Sequence, residues 1–127
     1  MLNNQDEEAR MRAQEYQEIF GEDFYLEIMD HNYAEDRHVN PKLVKLANSL
    51  GIKLVATNDS HYTNASDANS HDALLCLQTA KSISEFPRLH FSSQEYLKTG
   101  EEMAMLFRDH LPADVINEAV YLSPTEI

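Results

Sequence analysis

Three side chains in this sequence have the types and placement to bind a metal ion: His31, Asp59 and His61. Asp59 and His61 are two residues apart, so on an extended segment both project to the same side. They follow Lys53-Leu54-Val55-Ala56-Thr57, a short and partly β-branched run of the kind that forms a buried strand. His31 follows a second strand candidate over 23–29, where Phe24, Leu26 and Ile28 alternate with Tyr25, Glu27 and Met29. In parallel α/β folds, ligands collect at the C-terminal ends of the strands. If the two strands are neighbours, about 4.8 Å apart, Asp30-His31 and Asn58-Asp59-Ser60-His61 open into one mouth. Two imidazoles and a carboxylate suit Zn²⁺, Mn²⁺ or iron. The competing reading makes Asp59 a turn cap and His61 an ordinary surface residue, since Asp-x-His is common by chance. Asp30 lies close by, and Glu27 faces either the inside of the sheet or solvent.

The remaining histidines are weaker candidates. His38 falls in a charged stretch, His71 sits at helical offsets suited to packing or capping, and His90 and His110 flank helical segments with no partner suggested. No glycine-rich phosphate loop, nucleophile elbow or CxxC pair is present. No catalytic residue and no binding site for an organic cofactor can be named.

The elements that must position these groups are readable from periodicity. Ala9, Ala13, Tyr16 and Phe20 predict an amphipathic helix over 6–20, with Gly21 as its stop. Asp30 to Val39 offers no apolar period and is expected to be a loop. Asn40-Pro41 reads as a helix start. Leu43, Val44, Leu46, Ala47 and Leu50 then predict a buried helical face over 41–50, closed by Gly51. Strand, loop, helix and strand in this order make a parallel βαβ unit. Ser66 is expected to cap a helix over 67–79, Thr99 to start another, and Leu111-Pro112 to separate it from a last one. The fold class is therefore α/β at the start and mostly helical afterwards, with a module boundary between about 79 and 92.

Composition narrows the function classes. With 127 residues, 43% of them hydrophobic, and few glycines or prolines, the chain suits one modest globular domain. The net charge of −12 and only ten scattered basic residues disfavour a direct grip on nucleic acid. Apolar runs such as Ala73-Leu74-Leu75-Cys76-Leu77 fall far short of the roughly 20 residues that cross a bilayer. The polar, acidic N-terminus is unlike a signal peptide, so a cytoplasmic location with no membrane partner is expected. The single cysteine, Cys76, reads as a small core residue.

Several ordered blocks together resemble one family. Phe24 to His31, Val55 to Tyr62 and His71 to Thr79 are similar to segments of the alpha subunits of bacterial DNA polymerase III. Val39 to Leu43, Leu50 to Ile52, Tyr96 to Lys98, Glu101 to Met103 and Leu106-Phe107 match that family in the same order. The likeness runs from about Tyr16 to Leu111 and fades beyond, where Tyr121-Leu122-Ser123-Pro124 departs from the usual helical pattern. Asn32 stands where the family usually has glycine.

The resemblance implies a partial PHP-type (polymerase and histidinol phosphatase) distorted β/α barrel followed by a mostly helical segment. Residues 1–80 would be the C-terminal part of the PHP domain, and 81–127 a helical connection toward the polymerase body. His31, Asp59 and His61 match metal-ligand positions at the barrel mouth, for a divalent ion such as Zn or Mn. Further ligands belong to earlier parts of the family sequence, so the set here is incomplete. The palm that uses Mg for polymerisation belongs to later parts. The chain is accordingly expected to be a fragment, from a truncated or split gene, inactive alone in template-directed DNA synthesis. Its expected partners are other segments or subunits of the DNA polymerase III holoenzyme, with DNA reached through the full protein. The alternatives are a stand-alone PHP-type metal-dependent phosphoesterase and a non-catalytic module that docks with a complementary polymerase fragment.

Overall fold

The computed structural model describes residues 1–3 and 5–127. Helix α1 (Asp6–Phe20) carries Asp6, Glu7 and Glu8 in its first turn, where carboxylates oppose the positive end of the helix dipole. A 3₁₀ turn at Gly21–Asp23 leads into strand β1 (Tyr25–Ile28). Helix α2 (Ala34–Leu50) crosses over to strand β2 (Lys53–Ala56). The strands are parallel, with Tyr25 opposite Lys53 and Ile28 opposite Ala56. The βαβ unit expected from the alternating pattern is therefore present, each strand being shorter than its apolar run. Gly51 closes α2 in the left-handed region, at φ 65° and ψ 32°, where a Cβ would be strained.

Two local expectations are corrected. The stretch 30–39 is not all loop, because α2 begins at Ala34 and Pro41 lies inside it. Asn40 does not cap the helix. It is buried, and its amide donates to Met29 O at 3.0 Å. The first turns of α2 are solvent-facing, which is why they show no apolar period. They are held instead by polar contacts: Asp36 accepts the His31 N–H at 2.9 Å, and Arg37 pairs with Asp109 at 2.5 Å. On α1, only Ala13 of the expected face is buried. Tyr16 and Phe20 are half exposed, their rings stacked on one another and Tyr16 against Phe24.

Beyond β2, a 3₁₀ turn at Ala65–Asp67 feeds α3 (Ala68–Thr79). Asn64 and Asp67 form the capping box there, not Ser66: Asp67 accepts the Asn64 N–H at 2.9 Å. An irregular stretch follows, and Thr99 then caps α4 (Gly100–Phe107), with Glu102 accepting the Thr99 N–H at 2.8 Å. Pro112 precedes α5 (Ala113–Asn117). The helix continues through a π turn at Glu118–Leu122 into α6 (Ser123–Glu126). The π turn includes Tyr121 and Leu122, two of the four residues that depart from the family's helical pattern; Ser123 and Pro124 open α6.

The main core joins both halves of the chain. Ile28 of β1, Val44 and Ala47 of α2 and Leu54 of β2 pack with Met103 and Phe107 of α4 and Ile116 of α5. Ile28, Leu54 and Phe107 are almost wholly buried, each worth about 1.5–3 kcal/mol of apolar transfer. A smaller cluster of Ala13, Leu46 and Ile52 attaches α1. The outer edge of β2 is sealed by the C-terminal helices, for the Leu54 N–H donates to Glu118 Oε1 at 3.0 Å. Cys76 is buried and free, as its apolar surroundings suggest. Among the described residues, no helix is long and apolar enough to cross a membrane.

Candidate metal centre

The parallel register fixes where the mouth lies. With Ile28 level with Ala56, the chain leaves both strands at the same end, and the Thr57 N–H extends the ladder to Ile28 O at 3.1 Å. The two exit loops then touch: His31 Nε2 lies 3.0 Å from Asn58 O. Each loop contains one residue in the left-handed region, Asn32 at φ 63° and Asp59 at φ 45°. Asn and Asp are the non-glycine residues that tolerate this best. Asn32 therefore makes the turn without glycine, its N–H donating to Asp30 Oδ1 at 2.7 Å.

Asp59 and His61 stand together, with His61 Nδ1 4.0 Å from Asp59 Oδ2 and 2.6 Å from Asp59 O. Both are open to solvent, whereas His31 is nearly enclosed and lies against Asp36, 3.8 Å from its Nδ1. A carbonyl oxygen can only accept, so the ring nitrogens facing Asn58 O and Asp59 O carry the protons. In the neutral rings the lone pairs are then on His61 Nε2 and on His31 Nδ1, the nitrogen that faces Asp36. Metal-binding imidazoles are commonly oriented in this way, one nitrogen tied to a carbonyl and the other free. In kind, the donors fit a divalent cation of the zinc or manganese type. In placement they are a partial set. Among the described residues, no three His, Cys, Asp or Glu side chains converge tightly enough to hold an ion.

The walls of the mouth come from residues that periodicity does not single out. The segment 91–98 lies across the β2 loop. Asn58 donates to Gln94 O at 2.9 Å and Tyr96 O at 2.7 Å, and Glu95 O accepts the His61 N–H at 2.7 Å. Glu95 itself is buried, taking 3.0 and 2.6 Å bonds from the Ser92 N–H and hydroxyl. Burial alone would raise its carboxyl. Bonds from the Ser92 hydroxyl and N–H and from its own backbone outweigh burial and hold it below the usual range. Burial pushes the Lys98 ammonium down; its Nζ lies 3.7 Å from the Tyr96 ring centroid and 3.3 Å from Asn58 Oδ1.

On the other side of β1, Asp30 is completely buried. Among the described residues its Oδ2 has no hydrogen-bond partner, and it is balanced by Arg37 Nε at 3.5 Å. His110 stands 3.8 Å away, donating through Nδ1 to Asp109 at 2.7 Å and facing the Asn40 amide at 3.2 Å. His110, for which the sequence suggested no partner, is thus the link between α4 and the mouth. Glu27 is exposed and accepts from the Thr57 hydroxyl at 2.6 Å. His38 lies on the exposed face of α2, in a helix where a loop was expected.

Fold and mouth together define an α/β protein whose parallel strands present imidazoles and carboxylates at their C-terminal ends. No protein-family model matches the chain. Curated relatives do. It is 43% identical over 104 residues to DNA polymerase III subunit alpha of Helicobacter pylori, covering 81% of this chain and 9% of that protein. The corresponding protein of Saccharopolyspora erythraea is 44% identical over 115 residues, 89% of this chain and 10% of the relative. That of Treponema pallidum is 43% identical over 119 residues, 92% of this chain and 10% of the relative. Over the segment it spans, the chain belongs to the family of DNA polymerase III alpha subunits. It spans about a tenth of the length of the curated relatives it matches. The matches are longer than the stretch from Tyr16 to Leu111 to which the motif likeness was confined.

Proposed function

We propose that this chain serves as the closing part of a PHP-type metal-binding barrel within a replicative DNA polymerase III alpha subunit. Residues 1–80 would supply the last strands and mouth loops, and 81–127 the helical connection toward the polymerase body. Template-directed DNA synthesis, with its Mg requirement, would be the work of the whole subunit in the cytoplasm. Other parts of the holoenzyme would be the partners. With a net charge of −12, these residues would contribute little direct grip on DNA.

His31, Asp59 and His61 would hold a Zn or Mn ion together with ligands from elsewhere in the subunit. Such an ion supplies Lewis-acid activation of water or of a phosphoester oxygen. The protein's own part is orientation: Asn58 O fixes the His31 ring, Asp59 O fixes His61, and the 91–98 segment holds the loop that carries both. The observation that carries the reading is the direct contact between the two exit loops, at the strand ends where parallel α/β folds keep their ligands. Large exposed apolar side chains after β2, among them Leu74, Leu77, Ile83 and Phe86, favour a docked rather than a free-standing role.

Titration calorimetry with Zn²⁺ or Mn²⁺ tests the metal reading. The wild-type chain is expected to bind weakly, and Asp59→Asn more weakly still with little change in melting temperature, since asparagine also tolerates the left-handed backbone at φ 45° and an exposed loop carboxylate contributes no core packing. Equal affinities in the two proteins would remove Asp59 from the site.

A further inference from the structure

His71, whose sequence position suggests only packing or capping, closes on the mouth. It lies in the first turns of α3, and its ring centroid is 5.4 Å from that of His61. Phe91 completes the group, 4.7 Å from His61 and 5.3 Å from His71, while Tyr62 stands 5.2 Å from His71. The rings are mutually tilted by 38–51°, in the separation range of favourable aromatic pairs. His61 is therefore restrained at two places: through Nδ1 by Asp59 O, and over the ring by His71 and Phe91. The clamp is itself anchored. Arg88, three residues before Phe91, grips Asp72, the neighbour of His71, with bonds of 2.5 and 2.7 Å.

We infer that His71 is a positioning residue for His61, holding the imidazole with Phe91 in one orientation that leaves Nε2 free to ligate. The inference rests on the metal reading of His61 proposed above. It assigns the work to the ring of His71 and not to its nitrogens, because His71 meets its neighbours as a tilted ring within an aromatic group. A ring without nitrogens should then do the same task.

The test compares the 127-residue wild type, His71→Phe and His71→Ala. Their folding is checked by circular dichroism. In the metal-free proteins, NMR reads the His61 ring directly through its ¹⁵N tautomer shifts and its Overhauser contacts to Phe91. These are expected to be preserved in His71→Phe and lost or averaged in His71→Ala. In Zn²⁺ titrations, His71→Phe should bind within about twofold of wild type and His71→Ala roughly tenfold more weakly, as for loss of a group that orients a ligand. If His71→Phe loses as much affinity as His71→Ala, His71 acts through a nitrogen and the inference fails. It fails equally if His71→Ala leaves both the ring signals and the affinity unchanged. A wild-type chain that takes up no Zn²⁺ would instead overturn the metal reading on which it stands.

Discussion

Phe107→Ala tests whether the C-terminal helices and the βαβ unit form one cooperative structure. Phe107 is wholly buried between α4 and the strands. Truncating a buried phenylalanine costs about 3–5 kcal/mol, from lost transfer energy plus the cavity left behind. A 127-residue chain has a melting entropy of about 0.27 kcal/mol/K, at about 2.1 cal/mol/K per residue. About 4 kcal/mol then lowers the midpoint by about 15 °C, a large share of the stability of a small domain. Phe107→Leu keeps most of the volume and should cost only about 1–1.5 kcal/mol, or about 5 °C. Hydrogen exchange on the Phe107→Leu protein gives the sharper readout. If one core is shared, amides of α4 and of β2 lose protection by the same factor, about tenfold for each 1.4 kcal/mol. Opening of α4 while Leu54 and Ala56 keep wild-type protection would refute the shared core and favour two modules divided near 79–92.

Glu118→Ala should destabilise by about 1–3 kcal/mol, because the Leu54 N–H loses its acceptor, while Glu118→Gln keeps a side-chain oxygen and most of the stability; chemical denaturation of both variants checks this. The Asp72–Arg88 pair should give an acid-sensitive anchor. Arg88 holds the Asp72 carboxyl below the ordinary range. A lowered folded-state pKa means that the stabilisation is present above the unfolded value, near 3.9, and is lost as pH falls through the lower folded value. NMR of the Arg88 and Phe91 amides should show this segment loosening in that acid window, and Asp72→Asn should abolish the dependence.

The strands were legible because each combines alternation or β-branching with a bounded length, and Gly51 and Thr99 mark helix ends through local chemistry alone. The start of α2 was not, since Asn40-Pro41 imitates a cap while the turns before it depend on Asp36 meeting His31 and Arg37 meeting Asp109. The face of α1 was overread for the converse reason: Tyr16 and Phe20 keep helical spacing yet cover only each other and Phe24. At the mouth, Asp59 and His61 could be paired because they are neighbours in sequence. Glu95, His71 and His110 act there through contacts made only after the chain has folded back, and no periodicity encodes those.

The bond from the Leu54 N–H to Glu118 has a consequence for growth of the sheet. Among the described residues, each strand has a partner strand on one side only. The far side of β2 is closed by a carboxylate at the π turn. A sheet sealed on one flank is polar in the architectural sense: as this chain stands, the edge open to an added strand is the one beside Tyr25–Ile28. A closed ring of strands would require the C-terminal helices, tied to β2 through Glu118 at Leu54 and through Glu126 at Lys53, to leave that edge.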